Sequence, residues 1–98
     1  MLETSVSLNF ISGYEHVKNA AISGWNNETL SKVGIEACKR ACNLRFWCNS
    51  FDYEKPVGSC HLSDAPRSTN LKTDYHGNRY DHYRKPASKP IFFSTEIL

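Results

Sequence analysis

The chain has 98 residues, 40% of them hydrophobic and 22% charged, with 12 basic and 10 acidic side chains. That composition describes one domain with a modest core and excludes a wholly disordered chain. No run approaches the ~18 apolar residues of a membrane-spanning helix. The net charge of +2 is unevenly spread, because Arg67 to Lys89 holds six basic and two acidic residues. A partner bearing anionic groups would feel that bias, although a basic segment can equally be a solvated edge.

In chain order, Met1 to Ser5 has neither a basic n-region nor an apolar h-region and does not read as a signal peptide. A secreted form is expected to have lost its signal already. Ser7-Leu8-Asn9-Phe10-Ile11 alternates in part and predicts a strand that Gly13 ends. Val17 to Ile22 predicts a second short strand, followed by a loop over Asn26-Asn27-Glu28. Asn27-Glu28-Thr29 is the only Asn-x-Ser/Thr acceptor, which makes Asn27 a candidate glycosylation site in a secreted protein. Leu30 to Val33 predicts a short strand, and Gly34 stands at a helix N-cap position.

Ile35 to Asn43 is the predicted helix. Ile35, Cys38, Ala41 and Cys42 share one face, and Glu36 and Arg40 are spaced to pair on the other. Asn43 is placed to end the helix in a left-handed conformation. Phe46-Trp47 is expected to pack against it. Asn49 to Glu54 alternates as a strand, Lys55-Pro56-Val57-Gly58 turns, and Ser59 to Ser63 returns as its hairpin partner. Asp64 to Thr73 reads as a polar loop, and Tyr80 to Arg84 as the last strand, with one face on the core. Pro86 and Pro90 then break regularity, and the tail carries Ile91-Phe92-Phe93.

The four cysteines, Cys38, Cys42, Cys48 and Cys60, admit three disulfide pairings or one zinc site. Structural zinc favours two short ligand pairs, and the eleven residues between Cys48 and Cys60 provide no second one. Disulfides are the better reading for a small domain in an oxidising compartment. On a helix, Cys38 and Cys42 project from one face a turn apart, a geometry that favours Cys38–Cys60 with Cys42–Cys48. A Cys38–Cys42 bridge is the least compatible with an intact helix.

The block Ile35-Glu36-Ala37-Cys38-Lys39-Arg40-Ala41-Cys42, then Trp47-Cys48-Asn49-Ser50-Phe51-Asp52-Tyr53, then Cys60-His61-Leu62-Ser63, resembles the PAN/apple module. So does the ending Tyr80-Asp81-His82-Tyr83-Arg84-Lys85. The resemblance spans residues 7–85, leaving 1–6 as an N-terminal tail and 86–98 as a C-terminal tail or added strand. It implies an α+β fold, a single helix packed on an antiparallel sheet of about five strands, with the same two disulfides. The terminal third disulfide of many relatives has no cysteines here. The resemblance further implies a non-catalytic, extracellular recognition module that binds a carbohydrate, a glycosylated partner or a protein, with homodimerisation as an alternative.

Candidate ligand residues follow from side-chain chemistry. Arg67, Lys72, Arg79, Arg84 and Lys85 suit sulfated glycans through charge-assisted hydrogen bonds. Tyr75, Tyr80 and Asn78, with Trp25, suit neutral sugars by stacking and hydrogen bonding, and His76 lies among them. The same aromatics are equally explained as packing. His76 and His82 lack a fixed third ligand, so neither a metal nor a cofactor is expected. No nucleophile motif such as Gly-x-Ser-x-Gly is present. Nucleic acid is a poor match to so small a net charge.

Overall fold

The computed structural model describes residues 13–74 and 76–86. The strand expected over Ser7–Ile11, Tyr75 and the Ile91–Phe93 segment lie outside them. The elements in chain order are β1 (Glu15–Val17), β2 (Ala20–Ala21), β3 (Glu28–Leu30), α1 (Ile35–Leu44), β4 (Ser50–Glu54), β5 (Ser59–Ser63), β6 (Lys72–Thr73) and β7 (Tyr80–Arg84). Five strands form one sheet in the order β1-β7-β4-β5-β3, and β2 pairs with β6 separately. Every pairing is antiparallel.

Side-chain alternation along β4 sets the two faces of the main sheet. Phe51 points to the helix side, where it meets Leu62, Tyr83 and the buried face of α1, namely Cys38, Ala41 and Cys42. Phe51 is fully buried, which contributes about 2–3 kcal/mol by transfer from water. Its ring stacks on Tyr83 at 5.1 Å. Tyr14 closes this side, donating to Asn43 Oδ1 at 2.6 Å and to the Lys39 carbonyl. Burial pushes its phenol pKa up.

Cys38 is bonded to Cys60, and Cys42 to Cys48, with Cα separations of 6.0 and 5.2 Å. The first bridge ties α1 to β5, and the second clamps the helix exit. Gly34 caps α1 without a side-chain hydrogen bond, as expected for glycine there. The end of the helix differs from expectation. Asn43 stays helical, and Arg45 leaves in an extended conformation, its N–H bonded to the Cys42 carbonyl. Arg45 also caps the Ala41 carbonyl through Nη1 and holds Glu28 of β3 through Nε and Nη2. That fork satisfies the open carbonyl end, so no left-handed residue is needed. Arg40 bonds to the Glu36 carbonyl rather than its carboxylate, which pairs with Lys39.

Several boundaries shift. Val17–Ile22 is two strands, because Asn19 takes φ 57° and turns the chain between them. The strand expected over Leu30–Val33 is β3, which begins at Glu28. Phe46 does not pack on the helix; it is 95% exposed, while Trp47 packs against the core. Gly58 takes φ 72°, and a Cβ there would stand 3.3 Å from the Val33 carbonyl, so glycine fits this turn for two reasons.

The largest difference is on the sheet face away from the helix. The segment read as a polar loop contains β6, and β2–β6 packs there against β7. Ser50, Asp52 and His82 are buried beneath that second layer. His82 Nδ1 lies 2.7 Å from Asp52 Oδ1, and Asp52 Oδ2 accepts the Ile22 N–H at 3.0 Å. Strand β7 is therefore buried on both faces, not one.

Candidate functional site

Where β4 begins and β7 ends, a cavity of about 150 Å³ opens on the face away from the helix. Ser50 and His82 come from the sheet, Ile22 from the chain after β2, and Ala65, Pro66 and Arg67 from the segment after β5; Arg84 and Lys85 complete the basic side. Antiparallel pairing explains the convergence. Ser50 faces Arg84 on one side and Ser63 on the other, which brings the ends of three strands together.

The cations are held in place by a shared carboxylate. Arg67 Nη2 meets Glu15 at 2.6 and 2.7 Å, and Arg84 Nε meets the same carboxylate at 3.2 Å. Register places Glu15 directly opposite Arg84. Each arginine also donates to a backbone carbonyl, Arg67 to Lys85 and Arg84 to Arg67. The hydrogen bond from Arg67 lowers the Glu15 pKa despite some desolvation, with Arg84 adding to the effect. Three basic residues, Arg67, Arg84 and Lys85, line the cavity, and Glu15 is held by two of them. The Ser50 hydroxyl is fully buried beneath the cavity and has no hydrogen-bond partner among the described residues.

A second polar cluster lies at the other end of β7, about 13 Å away along the strand. Arg79 Nε meets Glu54 Oε2 at 2.6 Å, and His61 Nε2 meets Glu54 Oε1 at 3.2 Å. The Arg79 hydrogen bond lowers the Glu54 pKa, against a smaller desolvation effect. Tyr80 lies near both His61 and His76. His76 and Asn78 take left-handed backbone in the turn before β7.

The predicted ligand residues thus divide. Arg67, Arg84 and Lys85 gather at the cavity. His76, Asn78, Arg79 and Tyr80 stand at the far end, Lys72 sits on β6, and Trp25 is 41% exposed in the β2–β3 connection. Asn27 is exposed, and its Oδ1 accepts the Asp64 N–H. Glu15 and Ser50 were not among the predicted site residues. Nothing local marks them, since Glu15 meets partners 52 and 69 positions away. Among the described residues no group of three or more His, Cys, Asp or Glu is placed to hold a metal, and no helix is long and apolar enough to cross a membrane.

One helix on a five-stranded antiparallel sheet with these two bridges defines a disulfide-stapled interaction module. The PAN domain family model matches residues 13–87, and the chain belongs to that family. No curated protein sequence matches it. PAN domains are modules of protein and carbohydrate interaction, generally without catalysis, and a disulfide-stapled domain of this kind is typical of extracellular proteins.

Proposed function

We propose that this PAN domain is a secreted or cell-surface recognition module that binds an acidic glycan through the basic end of its sheet, and that it is not an enzyme. The observation that carries this reading is the convergence of Arg67, Arg84 and Lys85 on the lining of one cavity. Guanidinium groups meet sulfates and carboxylates with paired, charge-assisted hydrogen bonds. The contact set is narrower than composition suggested, because Arg79 lies at the far end of β7, beside Glu54.

A glycan array with sulfated, uronate-bearing and neutral members tests it. Acidic members should bind, and binding to immobilised heparin should weaken as salt rises from low to high, since the contact lies at a solvent-exposed site. Arg67→Ala should elute at lower salt than the wild type. Binding confined to neutral sugars would move the site to the aromatic residues instead.

A second reading, protein binding, draws on Leu44 and Phe46, which are 83% and 95% exposed beside the Cys42–Cys48 bridge. Such binding would be insensitive to salt and lost in Phe46→Ser.

A further inference from the structure

Among the described residues three candidates stand outside the basic end of the sheet: the exposed Leu44–Phe46 pair, the buried Asp52–His82 pair and the Asn27-Glu28-Thr29 triplet at the start of β3. Nothing in the structure shows what covers the first, and the fold itself uses the second. The triplet carries an inference furthest. We infer that Asn27 carries an N-linked glycan whose first sugar packs on the exposed Trp25 ring. This rests on the secreted placement proposed above and is independent of which ligand the basic end takes.

Asn27 ends a run, Ser23 to Asn27, that is exposed throughout. It immediately precedes β3, an edge strand of the main sheet, so a glycan there leaves from a rim and not across a packed face. The two ends of its amide are separately employed. Oδ1 accepts the Asp64 N–H at 3.1 Å, while Nδ2, the atom that is glycosylated, has no partner among the described residues. Attachment at Nδ2 keeps the carbonyl oxygen, so the modified chain retains the bond that ties the β2–β3 connection to the segment after β5. Thr29 supplies the hydroxyl that the transferase reads two positions on. In the transfer, Nδ2 bonds to C1 of an oligosaccharide carried on a lipid diphosphate. The C1–phosphate bond breaks, the lipid diphosphate leaves, and Nδ2 gives one proton to the transferase; nothing is oxidised or reduced. The compartment that holds this donor also forms disulfides, and this domain carries two. Trp25 completes the site. It is 41% exposed, and its Cα lies no more than about 7 Å from that of Asn27. An exposed indole face suits the apolar C–H face of a pyranose.

The test is secretion of the full chain behind a cleavable leader from a eukaryotic cell line, with peptide N-glycosidase digestion and peptide mass on both cell and medium fractions. Wild type, T29S, T29A, N27D and W25A are compared. N27D keeps the oxygen that accepts the Asp64 N–H and removes only the nitrogen, so it should fold; T29S keeps the hydroxyl. Wild type, T29S and W25A should lose mass on digestion, with Asn27 converted to aspartate in its peptide, and N27D and T29A should not. Removing the glycan from the folded protein should lower the wild-type thermal midpoint by about 3–6 °C, and that of W25A by less than half as much. Equal falls in the two, or no fall in wild type, would overturn the packing on Trp25. Wild type in the medium with both disulfides and no glycan would overturn the site and leave the recognition-module reading intact. Retention in the cell with free thiols and no glycan would remove both.

Discussion

Ser50 and Asp52 stand two positions apart on one face of β4 and do opposite things. The Ser50 hydroxyl is buried without a partner among the described residues, and a buried polar group left unpaired costs stability. Ser50→Ala should therefore leave the thermal midpoint unchanged or raise it in a calorimetric scan, and a clear fall would show that the hydroxyl is satisfied in solution. Asp52 is fully employed, by His82 on one oxygen and the Ile22 N–H on the other. Asp52→Ala strands both partners and should cost about 3–5 kcal/mol in urea unfolding. Strand alternation made these residues legible as one face. It did not reveal that the face is buried, because that depends on a second layer formed by residues 20–22 and 72–73.

The strongest local signals belong to α1 and its two bridges. Helical spacing put Cys38 and Cys42 on one face, and the structure pairs them outward to Cys60 and Cys48. Their separations of 22 and 6 residues imply about 3 and about 2 kcal/mol respectively in the chain-entropy treatment. Replacing Cys38 and Cys60 by alanine should lower stability more than replacing Cys42 and Cys48, as unfolding under non-reducing conditions would show. Both bridges are fully buried in the core, so lost packing adds to the cost of removing either. The helix end was less legible. Its cap comes from Arg45 anchored on Glu28, a pairing across 17 residues that no local rule anticipates.

Across the whole molecule, carboxylates hold the strand ends together, and acid should release them. Burial opposes ionisation of Asp81, but hydrogen bonds from the Asn19 N–H, Lys55 and His16 outweigh it and hold the carboxyl at about 2. Glu15, Glu28 and Glu54 are lowered as well, chiefly by hydrogen bonds from Arg67, Arg45 and Arg79, against smaller desolvation effects. Each folded pKa lies below its unfolded value, so the stabilisation is complete above about pH 4.5 and is lost as pH falls through the folded values. For Asp81 the loss runs from 3.8 down to about 2 and amounts to roughly 2 kcal/mol. Thermal midpoints should thus be flat from neutral pH to about 5 and fall steeply below 4. Asp81→Asn should flatten that fall while lowering the plateau.

The sequence by itself determined the helix, its cysteine face, the β4–β5 hairpin and the last strand, because each follows from spacing and turn chemistry within a dozen residues. It also supplied the family, whose motif lies in that same central block. Only the tertiary structure decided which basic residues act together. Arg67 and Arg84 are 17 positions apart, yet they meet through Glu15, because antiparallel pairing lays β1 beside β7 and the segment after β5 folds back over both. Arg79 belongs to the same basic stretch but to the opposite end of its strand. Composition counts such charges alike; the sheet separates them by about 13 Å and leaves one group around a cavity.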